Sequence, residues 1–144
     1  MISTREKIRR LMIAIDQIDE AYYKALRTLG IKSNAFVLFY AIADGKPYSQ
    51  KRICDEWSVP RTTLNTVVQE YIKKGYIRLV PTGRKEKEIV LTSEGKAFAE
   101  EFLAPVFLAE EEAMGPFLSP ALVEQIENLA KRIKNEFKQI KKLD

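Results

Sequence analysis

The chain has 144 residues, a length typical of one domain that buries its own apolar core. It contains one cysteine and no histidine, which excludes an internal disulfide, a histidine-based catalytic triad and the usual zinc sites within one chain. The single cysteine fits a reducing compartment, and a cytoplasmic location is expected. No run of about 18 uncharged apolar residues occurs, so no membrane-spanning helix is predicted.

The net charge of +4 is unevenly distributed along the chain. Residues 46–88 hold ten basic and five acidic residues, whereas residues 89–127 hold one basic and eight acidic residues. Clustered positive charge favours a polyanionic partner for the middle of the chain. On charge alone, a solubilising surface is an equally good interpretation.

Residues 5 to about 29 are predicted to form one long amphipathic helix. Apolar residues recur every three or four positions from Ile8 to Leu29, and Gly30 supplies a C-cap signal. An apolar stripe of this length needs a surface that covers it, and a second copy of the chain is one candidate.

Two shorter helices are predicted next. The segment NAFVLFYAIA, with Ser33 as its N-cap, is apolar nearly all round, which places it at the centre of the fold. The segment QKRICDEW follows Ser49 as N-cap and is expected to point Ile53 and Trp57 inward.

A further helix is predicted from Pro60 to Lys74, because proline suits a first helical turn and Gly75 ends the pattern. One side of it is apolar. The opposite side carries polar groups with one charge among them: Arg61, Thr62, Asn65, Thr66 and Gln69. An ordinary solvated face usually carries Glu and Lys, so this face is unusual, and its first acid is Glu70.

After this helix the apolar pattern changes to alternation, which is typical of strands. The segments YIRLV and EIVLT are predicted to pair as a β-hairpin, because Pro81 and Gly83 between them are turn residues. The tip of the hairpin is charged: Arg84, Lys85 and Lys87 are basic, and Glu86 and Glu88 dilute that charge.

Two helices complete the predicted, mainly α fold. The first begins at Thr92 or Ser93, and Pro105 is expected to kink or break it. The last begins with Ser119 as N-cap and Pro120 in its first turn, and carries an apolar stripe as far as Ile140.

The order of short helix, three-residue turn, second helix and hairpin predicts a winged helix-turn-helix, with the helix-turn-helix at about 49–74 and the wing at about 76–92. The second helix of such a motif fits the major groove of DNA. Arg61 can donate two hydrogen bonds to guanine, and Asn65 or Gln69 can do the same for adenine. The predicted DNA-binding residues are Ser49, Arg61, Thr62, Thr63, Asn65, Thr66, Gln69, Arg84, Lys85 and Lys87.

The chain resembles the MarR-type (multiple antibiotic resistance regulator) winged-helix family. The resemblance is carried by ICDEWSVPRTTLNTVVQEYIKKGYI, by the wing GRKEKEIVLTSEG and by LSPALVEQIENLAKRI. It implies a homodimeric regulator, commonly a repressor, that binds a palindromic operator. In such a protein residues 1–32 and 93–144 would be dimerisation helices and residues 33–92 the DNA-binding domain. Arg61, Thr62, Asn65 and Thr66 would then face bases, and Arg84 would enter the minor groove.

Three residues depart from the family pattern. Gly83 stands where an Asp commonly precedes the wing arginine, Ser58 stands where glycine is usual, and Pro60 replaces a small hydroxyl residue. The first departure removes a carboxylate that often orients Arg84.

Other interpretations stay open. Four aromatic residues could line a site for a small aromatic or lipophilic effector, although aromatic residues at helical spacing are more often core: Tyr22, Phe36, Phe39 and Tyr40. Cys54 is expected to pack in the core. No cofactor and no catalytic group are expected, because no clustered nucleophile, base or phosphate-cradling loop is present. The alternative function is a winged-helix adaptor or anti-repressor that contacts proteins and lacks sequence-specific DNA binding.

Overall fold

The computed structural model describes residues 1–143 and is mainly helical, with a small sheet. The predicted fold class, a winged helix-turn-helix flanked by helices, is confirmed. The elements in chain order are α1 (Thr4–Leu29), α2 (Ser33–Ala41), β1 (Tyr48–Ser49), α3 (Gln50–Trp57), α4 (Arg61–Lys73), β2 (Ile77–Val80), β3 (Glu88–Leu91), α5 (Ser93–Met114) and α6 (Pro120–Phe137).

The chain forms two compact units, one of residues 1–105 and one that begins at residue 106. The division falls inside α5, which continues through Pro105, so the predicted break of this helix does not occur. The predicted grouping of residues 1–32 with 93–144 into one dimerisation domain stays a prediction.

Most helix ends follow the capping signals in the sequence. The hydroxyls of Ser49, Thr92 and Ser119 each accept a backbone N–H from the first turn of α3, α5 and α6, at 3.0–3.1 Å. Gly30 ends α1 with a φ of +74°, which only glycine adopts without strain. The prediction for Ser33 is wrong: the cap of α2 is Lys32, which has no side-chain cap bond, and Ser33 is the first helical residue.

The sheet has three antiparallel strands in the order β1-β3-β2. β2 and β3 form the predicted hairpin, with Ile77 opposite Leu91 and Leu79 opposite Ile89. β1 was not predicted, because it is two residues long and pairs Tyr48 with Ile89. Its pairing ties the start of α3 to the wing.

The core of the first unit surrounds α2, as its all-round apolar sequence predicts. Phe39 is fully buried, and its ring meets three others edge-on, those of Tyr71 at 4.9 Å, Phe98 at 5.4 Å and Phe102 at 5.7 Å between centroids. Such edge-on aromatic contacts stabilise the core in addition to the effect of removing apolar area from water. The largest fully buried side chains are Phe39, Leu38, Ile53, Leu64, Ile77, Ile89 and Val68. The core therefore joins α2, α3, α4 and the sheet.

Trp57 does not point into this core. Its side chain is 42% exposed and lies edge-on to the ring of Tyr40, with centroids 5.4 Å apart. The predicted inward position is wrong, because α3 ends at this residue and the chain turns at once. Ile53 and Cys54 are the buried residues of that helix.

Candidate nucleic-acid interface

The turn between α3 and α4 sets the direction of the second helix. Ser58 adopts φ +54° and ψ +43°, and it is the one non-glycine residue with positive φ among residues 1–143. The N–H groups of Ser58 and Val59 both bond to the carbonyl of Cys54, which closes the end of α3. Pro60 then precedes the first helical residue of α4. The chain thus reverses over three residues, as in a helix-turn-helix.

α4 has one buried side and one exposed polar side. Leu64, Val68 and Tyr71 are buried and hold the helix against the core. The polar residues predicted to face outward are all exposed: Arg61, Thr62, Asn65, Thr66 and Gln69. Thr63 lies at the margin and is half-buried. The predicted exposure of this face is confirmed, and the role of its residues in binding stays a prediction.

The hydroxyl groups at the interface are partly engaged within the protein. The hydroxyl of Thr66 donates to the carbonyl of Thr62 at 3.0 Å, so its oxygen can still accept a hydrogen bond and its methyl group can contact a base. The hydroxyl of Ser49 accepts the N–H of Arg52 at 3.1 Å and keeps its own proton for a phosphate oxygen.

An ion pair joins the start of α4 to the wing. Nη2 of Arg61 lies 3.2 Å from Oε1 of Glu86, and the side chains are 66% and 38% exposed. On charge alone, Glu86 only dilutes the positive charge of the wing. The two residues are 25 positions apart, and no local pattern reports such a contact.

The tip of the wing has a defined conformation. The hydroxyl of Thr82 donates to the carbonyl of Glu86 at 2.9 Å and accepts the N–H of Arg84 at 3.2 Å. Gly83 between them has φ +77°, so a residue with a side chain there would be strained. The predicted wing residues Arg84, Lys85 and Lys87 are exposed, and none forms an ion pair with any described residue. Their charges are available to a polyanion.

The start of α3 carries a second basic group, in which each charge has a partner. Lys51 pairs with Asp55 at 3.0 Å, and Arg52 pairs with Glu56 at 3.4 Å. The guanidinium of Arg52 also lies 4.5 Å from the ring centroid of Tyr48. These surface pairs follow the i, i+4 spacing of a helix and contribute little stability.

The phenol of Tyr48 is held at the base of the wing. Its hydroxyl donates to the carboxylate of Asp44, and this hydrogen bond lowers the pKa of Asp44 and raises the pKa of Tyr48. A second carboxylate oxygen of Asp44 accepts the N–H of Lys46 at 2.9 Å. The contacts fix the loop that leads into β1 and therefore the position of Ser49.

Three of the four predicted effector residues lie together. The ring of Phe36 is 6.5 Å from that of Tyr22 and 5.1 Å from that of Tyr40, and both tyrosines are half-buried. Phe39 does not share this position, because it is fully buried in the core and offers no surface to a ligand. Contact of Tyr22, Phe36 and Tyr40 with an effector stays a prediction.

Within the described part of the chain, no group of His, Cys, Asp and Glu residues could hold a metal ion. Nor is any helix among residues 1–143 long and apolar enough to cross a membrane.

The sequence and the structure of this chain are both similar to those of MarR family proteins. Residues 29–87 match the sequence model of the MarR family. The structure is similar to that of a MarR family regulator from Neisseria meningitidis, with a TM-score of 0.82 and 21% identity over 94% of this chain and 99% of that chain. No functionally curated protein matches the sequence.

Two more distant structures share the fold. The transcriptional regulator BldR from Sulfolobus solfataricus gives a TM-score of 0.65 and 16% identity, over 93% of this chain and 99% of that chain. MarR from Staphylococcus aureus, solved in complex with salicylate and kanamycin, gives a TM-score of 0.61 and 16% identity, over 92% and 93%. The predicted resemblance to MarR-type regulators is thereby confirmed.

Proposed function

We propose that this chain is a homodimeric transcriptional regulator that binds a palindromic operator in duplex DNA. The match of residues 29–87 to the MarR family supports this proposal. The observation that carries the proposal is the exposed polar face of α4, which holds no carboxylate before Glu70. Glutamates on such a face would be repelled by phosphates, and their absence suits contact with a groove. We infer that the protein acts in the cytoplasm and performs no catalysis. Because regulators of the MarR type are commonly repressors, repression of transcription is the expected role.

The assignments to each groove follow from side-chain chemistry. Arg61 offers a pair of N–H donors to guanine, and Asn65 and Gln69 offer the amide pattern that matches adenine. The wing carries Arg84 and Lys85 on a short hairpin next to α4, within reach of a flanking minor groove or its phosphates. Base contacts would specify the sequence, and the wing would add affinity.

The exposed apolar faces support a homodimer. In α1 five apolar side chains are between 40% and 56% exposed: Ile8, Leu11, Met12, Ile15 and Ile18. In α6 a second stripe is also exposed: Val123, Ile126, Leu129, Ile133 and Phe137. Apolar stripes of this extent are unfavourable in water and are typical of surfaces that a partner covers. A two-fold axis would place the recognition helices about 34–36 Å apart, one turn of DNA.

A small aromatic or lipophilic effector is proposed to modulate DNA binding. The half-buried rings of Tyr22 and Tyr40 flank the buried ring of Phe36 in the first unit. The structure of Staphylococcus aureus MarR with salicylate supports this class of ligand.

The test is selection from a random pool of duplex DNA, followed by gel-shift titration of the enriched sequence at several salt concentrations. We expect a palindrome and an affinity that falls steeply as salt rises. Two half-sites one helical turn apart would support the dimer on DNA.

A second candidate is the winged-helix adaptor or anti-repressor. It is favoured by one observation, the neutralisation of Arg61 by Glu86 in the free protein. Absent or salt-insensitive binding to duplex DNA would favour the adaptor and contradict the regulator.

A further inference from the structure

The contact between Arg61 and Glu86 connects the residue expected to read a base with the wing. Only one nitrogen of the guanidinium, Nη2, is engaged, at 3.2 Å from a single carboxylate oxygen. An arginine has five N–H donors in a planar fork, so most of them stay available to a second acceptor. The geometry therefore allows Arg61 to keep Glu86 while it binds another group.

Glu86 is the more fixed partner of the two. The backbone carbonyl oxygen of Glu86 accepts a hydrogen bond from the hydroxyl of Thr82 at 2.9 Å, and the same hydroxyl accepts the N–H of Arg84. Its side chain is 38% exposed, against 66% for Arg61. The carboxylate is thus presented by an ordered hairpin, and the long side chain of Arg61 reaches over to it.

We propose that Glu86 is a positioning residue for Arg61, which it holds in the direction of the major groove so that the free edge of the guanidinium meets a guanine. This inference rests on the proposed DNA-binding function and deepens it. Holding a long side chain in one rotamer before binding removes part of the entropy that binding would otherwise cost. It also keeps Arg61 from contacting phosphates on DNA of the wrong sequence. Glu86 therefore contributes to specificity rather than to general affinity.

The experiment compares Glu86→Gln with Glu88→Gln. Both substitutions remove one negative charge from the wing, and Glu88 lies in β3 without an ion pair among the described residues. A general electrostatic effect would be the same in both variants. Affinities for the selected operator and for a random duplex are measured for each variant by fluorescence anisotropy at one fixed salt concentration.

For Glu86→Gln we expect the ratio of operator to random-duplex affinity to fall by about two- to fivefold, the size that an exposed ion pair supports. Glu88→Gln should leave this ratio unchanged. The loss should concentrate at one base pair, seen when each operator position is substituted in turn. A residue with a merely structural role would not produce a base-specific loss.

A double-mutant cycle with Arg61→Ala completes the test, because Glu86→Gln should have no effect on the ratio when Arg61 is absent. An unchanged or increased ratio in Glu86→Gln, or an equal loss with and without Arg61, would overturn the inference while wild-type DNA binding remained intact. If the wild-type protein bound no duplex DNA, the proposed function and this inference would both be wrong. All four substituted proteins are compared by circular dichroism, and the altered side chains are partly or fully exposed, so folding is expected to persist.

Discussion

At the scale of single residues, the turn between α3 and α4 contains the clearest backbone strain in the described chain. Ser58 has φ +54°, a conformation that costs a residue with a Cβ atom about 1–2 kcal/mol. Replacing Ser58 with glycine removes that cost and adds about 0.5–1 kcal/mol of lost chain entropy. We expect Ser58→Gly to raise the free energy of unfolding by about 0.5–1 kcal/mol, measured by denaturant titration.

The matched control is Ser58→Ala, which keeps the Cβ atom and the strain. Its stability should stay close to that of the wild type, measured at the same protein concentration because association affects apparent stability. A glycine variant less stable than the alanine variant by about 0.5–1 kcal/mol, the entropy cost alone, would mean that the turn is not strained.

The roles of single residues in DNA binding are separable by their effect on sequence preference. Arg61→Ala should cost about 1–3 kcal/mol on the operator and relax the preference at one base pair. Lys85→Ala should weaken binding to all sequences alike and reduce the salt slope by about one, because the exposed wing ammonium is proposed to contact a phosphate rather than a base. Gel-shift titration at several salt concentrations measures both effects. Unchanged operator affinity in both variants would mean that this face does not bind DNA.

At the scale of elements, α5 packs so closely against the start of the hairpin that its first turn requires glycine. A Cβ atom on Gly95 would lie 1.9 Å from the carbonyl oxygen of Tyr76, a backbone atom that no rotamer change can move. The hydroxyl of Thr92 strengthens this junction, because it donates to the carbonyl of Gly75 at 2.6 Å and accepts the N–H of Gly95.

Gly95→Ala should therefore destabilise the protein by about 1–3 kcal/mol, the range for forced backbone shifts. Lys96→Ala, an exposed position in the same turn, should change the free energy of unfolding by less than about 0.5 kcal/mol. Thermal melts of both variants give the comparison. A stable Gly95→Ala protein would show that α5 can move away from the hairpin without loss.

Elements with a long local signal were predictable from sequence, and elements made by distant contacts were not. α4 was expected from Pro60 to Lys74 and spans Arg61–Lys73, because its apolar spacing, proline and glycine all agree. β1 was missed, since two residues carry no periodicity and their partner strand lies far along the chain. The spacing of Trp57 from Ile53 predicts an inward position, yet α3 ends at Trp57 and leaves its side chain at the edge of the core.

In the candidate site too, features fixed by local sequence were predictable and contacts between distant segments were not. The outward face of Asn65 and Thr66 follows from helical periodicity alone, because a buried stripe fixes which residues lie opposite it. The pairing of Arg61 with Glu86 depends on the relative position of a helix and a hairpin, and no local pattern contains that information.

At the scale of the whole molecule, the exposed apolar face of α1 predicts self-association. Leu11 and Ile15 are 43% and 40% exposed on a helix of 26 residues. Burying such a face removes apolar area from water at about 25 cal/mol per Å². We expect the protein to be a dimer at micromolar concentration in sedimentation equilibrium.

Two glutamates placed on this face should separate the subunits. Leu11→Glu with Ile15→Glu should give a monomer that has a lower melting temperature and binds one half-site weakly, because charges buried in an apolar interface lose hydration without gaining a partner. The control is Ile13→Glu with Gln17→Glu, which adds the same charge on the opposite side of α1 and replaces one apolar side chain of the same kind. This variant should remain a dimer. A monomeric wild-type protein, or a Leu11→Glu with Ile15→Glu variant that remained a dimer, would mean that the apolar stripe of α1 does not form the interface.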